Sequence, residues 1–187
     1  GDPVGSNGTG GIVAIEADSV GIIGGSHISS QARAQDAGRI TIKAERLALD
    51  NGSIETSSAS EIGGRAGDVV LTVGTLSLSN GATINSSAPQ TGLAGDINIL
   101  ASGSVTMTKG STISASSTGT ANAGNITINT GDQFAMTNSS VTTEATEASG
   151  GQIEINAPEM VRLINSEVST SVEGSDTDTF GGTILID

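Results

Sequence analysis

Apolar and polar residues alternate in short runs along most of the chain. From Gly38 the apolar order is Ile40, Ile42 and Ala44, then Leu47 and Leu49, then Ile54; the next stretch gives Val69, Leu71 and Val73, then Leu76 and Leu78, then Ile84. Later stretches repeat the order with Ile97, Ile99, Ala101, Val105, Met107 and Ile113, then Ile126, Ile128, Phe134, Met136 and Val141, then Ile153, Ile155, Ala157, Val161, Leu163 and Val168. The first stretch, Val13, Ile15, Ala17, Val20, Ile22 and Ile28, follows suit. A spacing of two puts these side chains on one face of an extended strand. Each stretch predicts three short strands with one face turned inward.

The stretches are copies. AGRITI at Ala37, AGDVVL at Ala66, AGDINI at Ala94 and AGNITI at Ala123 share one phrase, and GGIVAI, GGQIEI and GGTILI at Gly10, Gly150 and Gly181 are looser forms of it. Between Gly11, Gly38, Gly67, Gly95, Gly124, Gly151 and Gly182 the steps are 27, 29, 28, 29, 27 and 31 residues. A fixed period of this length signals a solenoid. The prediction is an all-β, single-stranded parallel β-helix of about six coils, with three short strands per coil, over residues 11–187 behind a polar, Gly-rich lead at 1–10.

A stack of antiparallel hairpins is the competing arrangement, since Asn51-Gly52 and Asn80-Gly81 suit a type I′ turn. Later copies replace the pair with Lys109-Gly110, Asn138-Ser139 and Asn165-Ser166, which weakens that option. In the parallel form Ile40, Val69, Ile97, Ile126 and Ile153 make one interior column. The glycine before each first strand then marks a corner where neighbouring coils approach too closely for a side chain. Asn51, Asn80, Asn138 and Asn165 mark a second corner, where Asn tolerates a left-handed backbone and is expected to hydrogen-bond the next coil's Asn. The segments Ala59–Ala66, Ala88–Ala94, Thr118–Ala123 and Val172–Gly181 vary and are expected to be loops at one corner, the place for recognition on a rigid scaffold. A seventh coil starts at Ile184 and Ile186, which reads as a cut from a longer array.

Composition narrows the chemistry. Aromatics are 1% of the 187 residues and there is no Cys, so disulfides and thiolate metal sites are excluded and the core is aliphatic. A net charge of −13 disfavours nucleic acid and anionic membranes as partners. No apolar run reaches the roughly 20 residues of a membrane helix and no basic-then-apolar segment opens the chain, so neither a spanning helix nor a signal peptide is expected.

NAGNITINTG (Asn122 to Gly131), LSLSNGATINSSAPQTGLAGDINI (Leu76 to Ile99) and TKGSTISASSTGTANAGNITI (Thr108 to Ile128) closely resemble repeats of large exported proteins of the filamentous-haemagglutinin type, secreted by the two-partner route. The resemblance implies a right-handed β-helix, secreted or displayed on the cell surface, serving adhesion or surface structure.

Catalysis is not expected. Acidic pairs occur at Glu55 and Glu61, Glu144 and Glu147, and Asp176 and Asp178, but only Asp68 and Asp96 are repeat-equivalent neighbours. One coil apart, those two would sit near the ~5 Å separation of retaining glycosidases. Arg39, Asn125 and Gln152 fill the same position, so a solvated polar slot is the expectation. His27 is the one histidine, which rules out a His-based triad or multi-His metal site within one chain; it is placed facing solvent. Serine and threonine are assigned to outward strand faces, without a base to activate them. Glu173, Asp176 and Asp178 offer oxygen ligands for weak Ca²⁺ binding, without a recognised calcium-loop spacing. Ice binding is a rival, since some β-helices expose a flat Thr-x-Thr array, but here the outward third-strand pairs are interrupted by His27, Glu55 and Glu167. Asn125-Ile-Thr127 and Asn138-Ser-Ser140 fit the N-glycosylation pattern by chance-level matching.

The resulting expectation is a non-enzymatic module with no catalytic, cofactor or metal residues: a rigid rod within an adhesin-like exoprotein, with a surface glycan or protein as partner. A filament subunit that stacks end to end with its own copies is the alternative.

Overall fold

The computed structural model describes residues 8–33, 35–59, 63–88, 91–174 and 180–187. Among them every regular element is a strand, and all paired strands run parallel. β1 (Val13–Ile23), β3 (Ile40–Asp50) and β5 (Val69–Ser79) open the ten-stranded sheet. β7 (Ile97–Ala101), β8 (Val105–Thr108), β10 (Ile126–Thr130), β11 (Gln133–Thr137), β13 (Ile153–Asn156), β14 (Met160–Ile164) and β16 (Ile184–Ile186) complete it. The six-stranded sheet contains β2 (His27–Ala32), β4 (Ser53–Ser58), β6 (Thr83–Ala88), β9 (Thr112–Ser117), β12 (Ser140–Ala145) and β15 (Glu167–Val172). At ~4.8 Å per coil, six coils make a rod about 29 Å long.

Side chains stack in register down the rod. Val13, Ile40, Val69, Ile97, Ile126, Ile153 and Ile184 form one column. Val20, Leu47, Leu76, Val105, Phe134 and Val161 form another on the second runs, and Ile28, Ile54, Ile84, Ile113, Val141 and Val168 a third on the other sheet. From Ile40 to Ile155 these residues belong to one continuous buried core. Burying each such side chain stabilises by roughly 1.5–3 kcal/mol. Val13, Ile15, Val20 and Ile28 in the first coil, and Val161 and Val168 in the last, are only partly covered.

The three predicted short strands are distinct only in the later coils. In the first three, the first and second runs are one continuous strand of 11 residues. β5 pairs with β7 through its first half and with β8 through its second. The later breaks fall at Gly103, Gly131 and Pro158, where glycine permits a bend and proline withholds a ladder N–H.

The first corner is a file of glycines. A β-carbon on Gly38 would overlap the carbonyl oxygen of Gly11, and the same holds for Gly67 on Gly38, Gly95 on Gly67, Gly124 on Gly95, Gly151 on Gly124 and Gly182 on Gly151. At the second corner Asn51, Asn80, Lys109, Asn138 and Asn165 all adopt positive φ, between 47° and 56°. The expected Asn-to-Asn ladder is not what joins this corner. Asn80 instead donates to the Asp50 carboxylate at 2.7 Å, and backbone bonds such as Gly110 N–H to the Asn138 carbonyl, 2.6 Å, link the coils.

One interior column is polar. Ser30, Thr56, Ser86 and Thr143 are buried two positions after the third-strand aliphatic, with Ala115 at the same level. These hydroxyls face inward, contrary to the expectation that serine and threonine cover the outward faces. A hydroxyl is tolerated there because the glycine corner supplies backbone partners for it. Ser30 donates to the Gly11 carbonyl at 2.7 Å and accepts from the Gly38 N–H at 2.9 Å. Thr56 donates to the Gly67 carbonyl, and Thr143 to that of Gly151 at 3.1 Å.

Candidate functional site

The position after each corner glycine, where Asp68 and Asp96 are repeat-equivalent, carries a hydrogen-bonded row of polar side chains. The Asp68 carboxylate accepts the Asp96 N–H at 3.2 Å, the Asp96 carboxylate accepts the Asn125 N–H at 2.8 Å, and the Asn125 side-chain carbonyl accepts the Gln152 N–H at 2.9 Å. Backbone bonds run the opposite way: the carbonyls of Asp68, Asp96, Asn125 and Gln152 accept from Ile40, Val69, Ile97 and Ile126. Arg39 closes one end of the row with a 2.9 Å ion pair to Asp68. Each side chain thus completes the hydrogen bonding of a backbone that has not yet entered a strand. This explains why Asp and Asn recur here: their short side chains carry acceptors. With both Asp68 oxygens engaged and Asp96 Oδ1 bonded to Asn125, the pair belongs to a hydrogen-bonded ladder.

The remaining acidic candidates are not brought together. Glu55 lies on the outward side of β4, opposite Ser29 and Asn85, while its sequence partner Glu61 lies outside the described residues. Glu144 is exposed on β12 and accepts from Ser171 at 3.4 Å. Glu147 follows in the next loop, its N–H donating to Gly119. Asp176 and Asp178 also lie outside the described residues, which leaves only Glu173 of the suggested Ca²⁺ loop in view. Its N–H donates to the Ala145 carbonyl at 3.0 Å. Among the described residues no three His, Asp or Glu side chains form a group able to hold a metal ion. His27 is exposed at the start of β2.

The outward side of the six-stranded sheet is rich in hydroxyl side chains. His27, Ser53, Thr83, Thr112, Ser140 and Glu167 make one row across the coils; Ser29, Glu55, Asn85, Ser114, Thr142 and Ser169 make the next. Thr112 and Ser140 hydrogen-bond across coils at 3.2 Å, as do Thr142 and Ser114 at 3.3 Å. Asn85 Oδ1 is buried in this face without a protein partner. Charged ends at Glu55 and Glu167 break the lattice at the places the sequence indicated. An open groove flanks the glycine corner, lined by Ile12, Asp36, Arg39, Arg65 and Asp68 among others. No helix among the described residues is long and apolar enough to cross a membrane.

Compared with protein-family models, curated proteins and solved structures, the chain matches none. The repeat architecture, the glycine file and the polar ladder therefore carry the functional reading.

The ladder, with its companion contacts, is what sequence reasoning missed. Asp36 accepts the Arg65 N–H at 2.8 Å and Asn122 accepts the Ser149 N–H at 3.1 Å, two positions before the corner glycines. The signal was present: the occupants of the slot from Asp68 onward can all accept a hydrogen bond. An amide ladder does occur elsewhere, from Asn156 to Asn129 at 2.7 Å.

Proposed function

We propose that the chain is a non-enzymatic rod segment of a large secreted or cell-surface, adhesin-like exoprotein, of the filamentous-haemagglutinin type that its repeat phrases resemble. The observation that carries the reading is the uninterrupted glycine file, Gly11 to Gly182, which fixes every coil against the last and leaves variable loops on a stiff scaffold. Rigid spacing lets several weak contacts with a surface glycan or protein act together. The acidic residues contribute hydrogen bonds to the scaffold, which supports a role without catalysis.

The test is adhesion. Beads carrying the chain are expected to bind cell surfaces, and replacing Thr118–Ala123 and Val172–Gly181 with Gly/Ser linkers should abolish binding with unchanged melting. Binding that survives both replacements, or no binding to any surface, contradicts the reading.

A further inference from the structure

Asn51-Gly52 and Asn80-Gly81 place the same dipeptide at the same corner of neighbouring coils, with Asn51 and Asn80 exposed and at φ 49° and 56°. An Asn followed by Gly is open to spontaneous rearrangement. The glycine nitrogen bonds to the Asn side-chain Cγ, loses its proton to solvent, and ammonia leaves as a succinimide closes. Water then opens the ring at either carbonyl, giving aspartate or isoaspartate. Water is the only co-reactant. Two contacts oppose the reaction: a hydrogen bond that holds the side-chain amide, and one that holds the glycine N–H whose nitrogen must attack.

Asn80 has both. Its Nδ2 donates to Asp50 at 2.7 Å, and the Gly81 N–H donates to the Lys109 carbonyl at 2.9 Å. Among the described residues neither the Asn51 side chain nor the Gly52 N–H has a hydrogen-bond partner. Gly52 is buried against the Ile22 carbonyl, whereas Gly81 is exposed, so ring closure at Asn51 requires the corner to open. Its neighbour in the first coil is Gly24-Gly25, at φ 65° and 82°, and that coil's Val13, Ile15, Val20 and Ile28 are only partly buried. Coils with few buried apolar contacts open most readily.

We infer that Asn51 is a site of spontaneous conversion to isoaspartate, while Asn80, in the identical dipeptide, is protected by the fold. The product lengthens the backbone by a methylene where the chain must hold a left-handed turn, and adds a carboxylate beside Asp50. It loosens the first coil from the second.

The full chain, aged folded at mildly alkaline pH, is mapped by peptide mass spectrometry with enzymatic labelling of isoaspartate; the same chain in urea supplies the unprotected rate at each site. In urea the two sites should convert alike. Folded, Asn51 should convert at least about tenfold faster than Asn80, a difference of ~1.4 kcal/mol. Asp50→Ala, which frees the Asn80 amide, should raise the rate at Asn80. Equal folded rates, faster conversion at Asn80, or an Asn80 rate unmoved by Asp50→Ala would overturn the inference.

Discussion

The Ser86 hydroxyl accepts the Gly95 N–H at 2.9 Å and donates to the Gly67 carbonyl at 3.1 Å, bridging two corner glycines of successive coils. A β-carbon on Gly95 would overlap that same Gly67 carbonyl. One side chain and two absent ones thus set the separation of the coils.

Gly95→Ala is expected to destabilise by about 3 kcal/mol, because rigid backbone must move to admit the methyl group. Gly21→Ala, where nothing lies within 4 Å of the added carbon, should stay within about 0.5 kcal/mol of the parent. Urea unfolding of both variants checks the contrast; equal losses would show that the file does not govern packing.

The buried hydroxyl column gives a pair of opposite outcomes. Ser86→Ala leaves the buried Gly95 N–H short of a partner, while the Gly67 carbonyl keeps the Thr56 hydroxyl, and should cost about 1–3 kcal/mol. Ala115→Ser supplies the hydroxyl that this level lacks and should gain about 0.5–1.5 kcal/mol. Thermal melting of the two variants reads both signs.

At the second corner, Asn138→Ala should cost about 1 kcal/mol, since a left-handed conformation costs ordinary residues roughly 1–2 kcal/mol and Asn less. Lys109→Asn should stabilise, because Lys109 holds φ 55° and Asn tolerates the left-handed region better than Lys. A drop in melting temperature for Lys109→Asn would contradict this account of the corner.

Arg39→Ala should change stability by less than about 1 kcal/mol, since the Arg39 and Asp68 side chains are 57% and 29% exposed. Asp68→Ala should cost more, because it also removes the acceptor of the Asp96 N–H. Unfolding in low and high salt separates the two contributions: the Arg39 effect shrinks with salt, while the hydrogen-bond effect persists.

The aliphatic columns were legible because two periods agreed: two residues within each run, and 27–31 residues between copies. Parity extends further than composition suggested. Thr56 and Ser86 lie two positions after Ile54 and Ile84, which places them inward; their polarity hid this because their partners are backbone groups, which leave no mark in sequence. The corner asparagines were read for their backbone, correctly, and for their side chains, incorrectly, since Asn80 donates to Asp50. The fused strands β1, β3 and β5 were not foreseen, because a run's inward pattern does not say whether the backbone bends between runs.

In-register parallel stacking is tested most directly by an engineered disulfide, which the cysteine-free chain allows without background. Thr83 and Thr112 are register partners on the outward side of adjacent coils. The ~4.8 Å rise between coils falls within disulfide reach, while two coils do not. The chain carrying Thr83→Cys and Thr112→Cys should close an intrachain bond on oxidation, and Thr83→Cys with Ser140→Cys should not. Failure of the first pair, or closure of the second, would contradict the stacked solenoid.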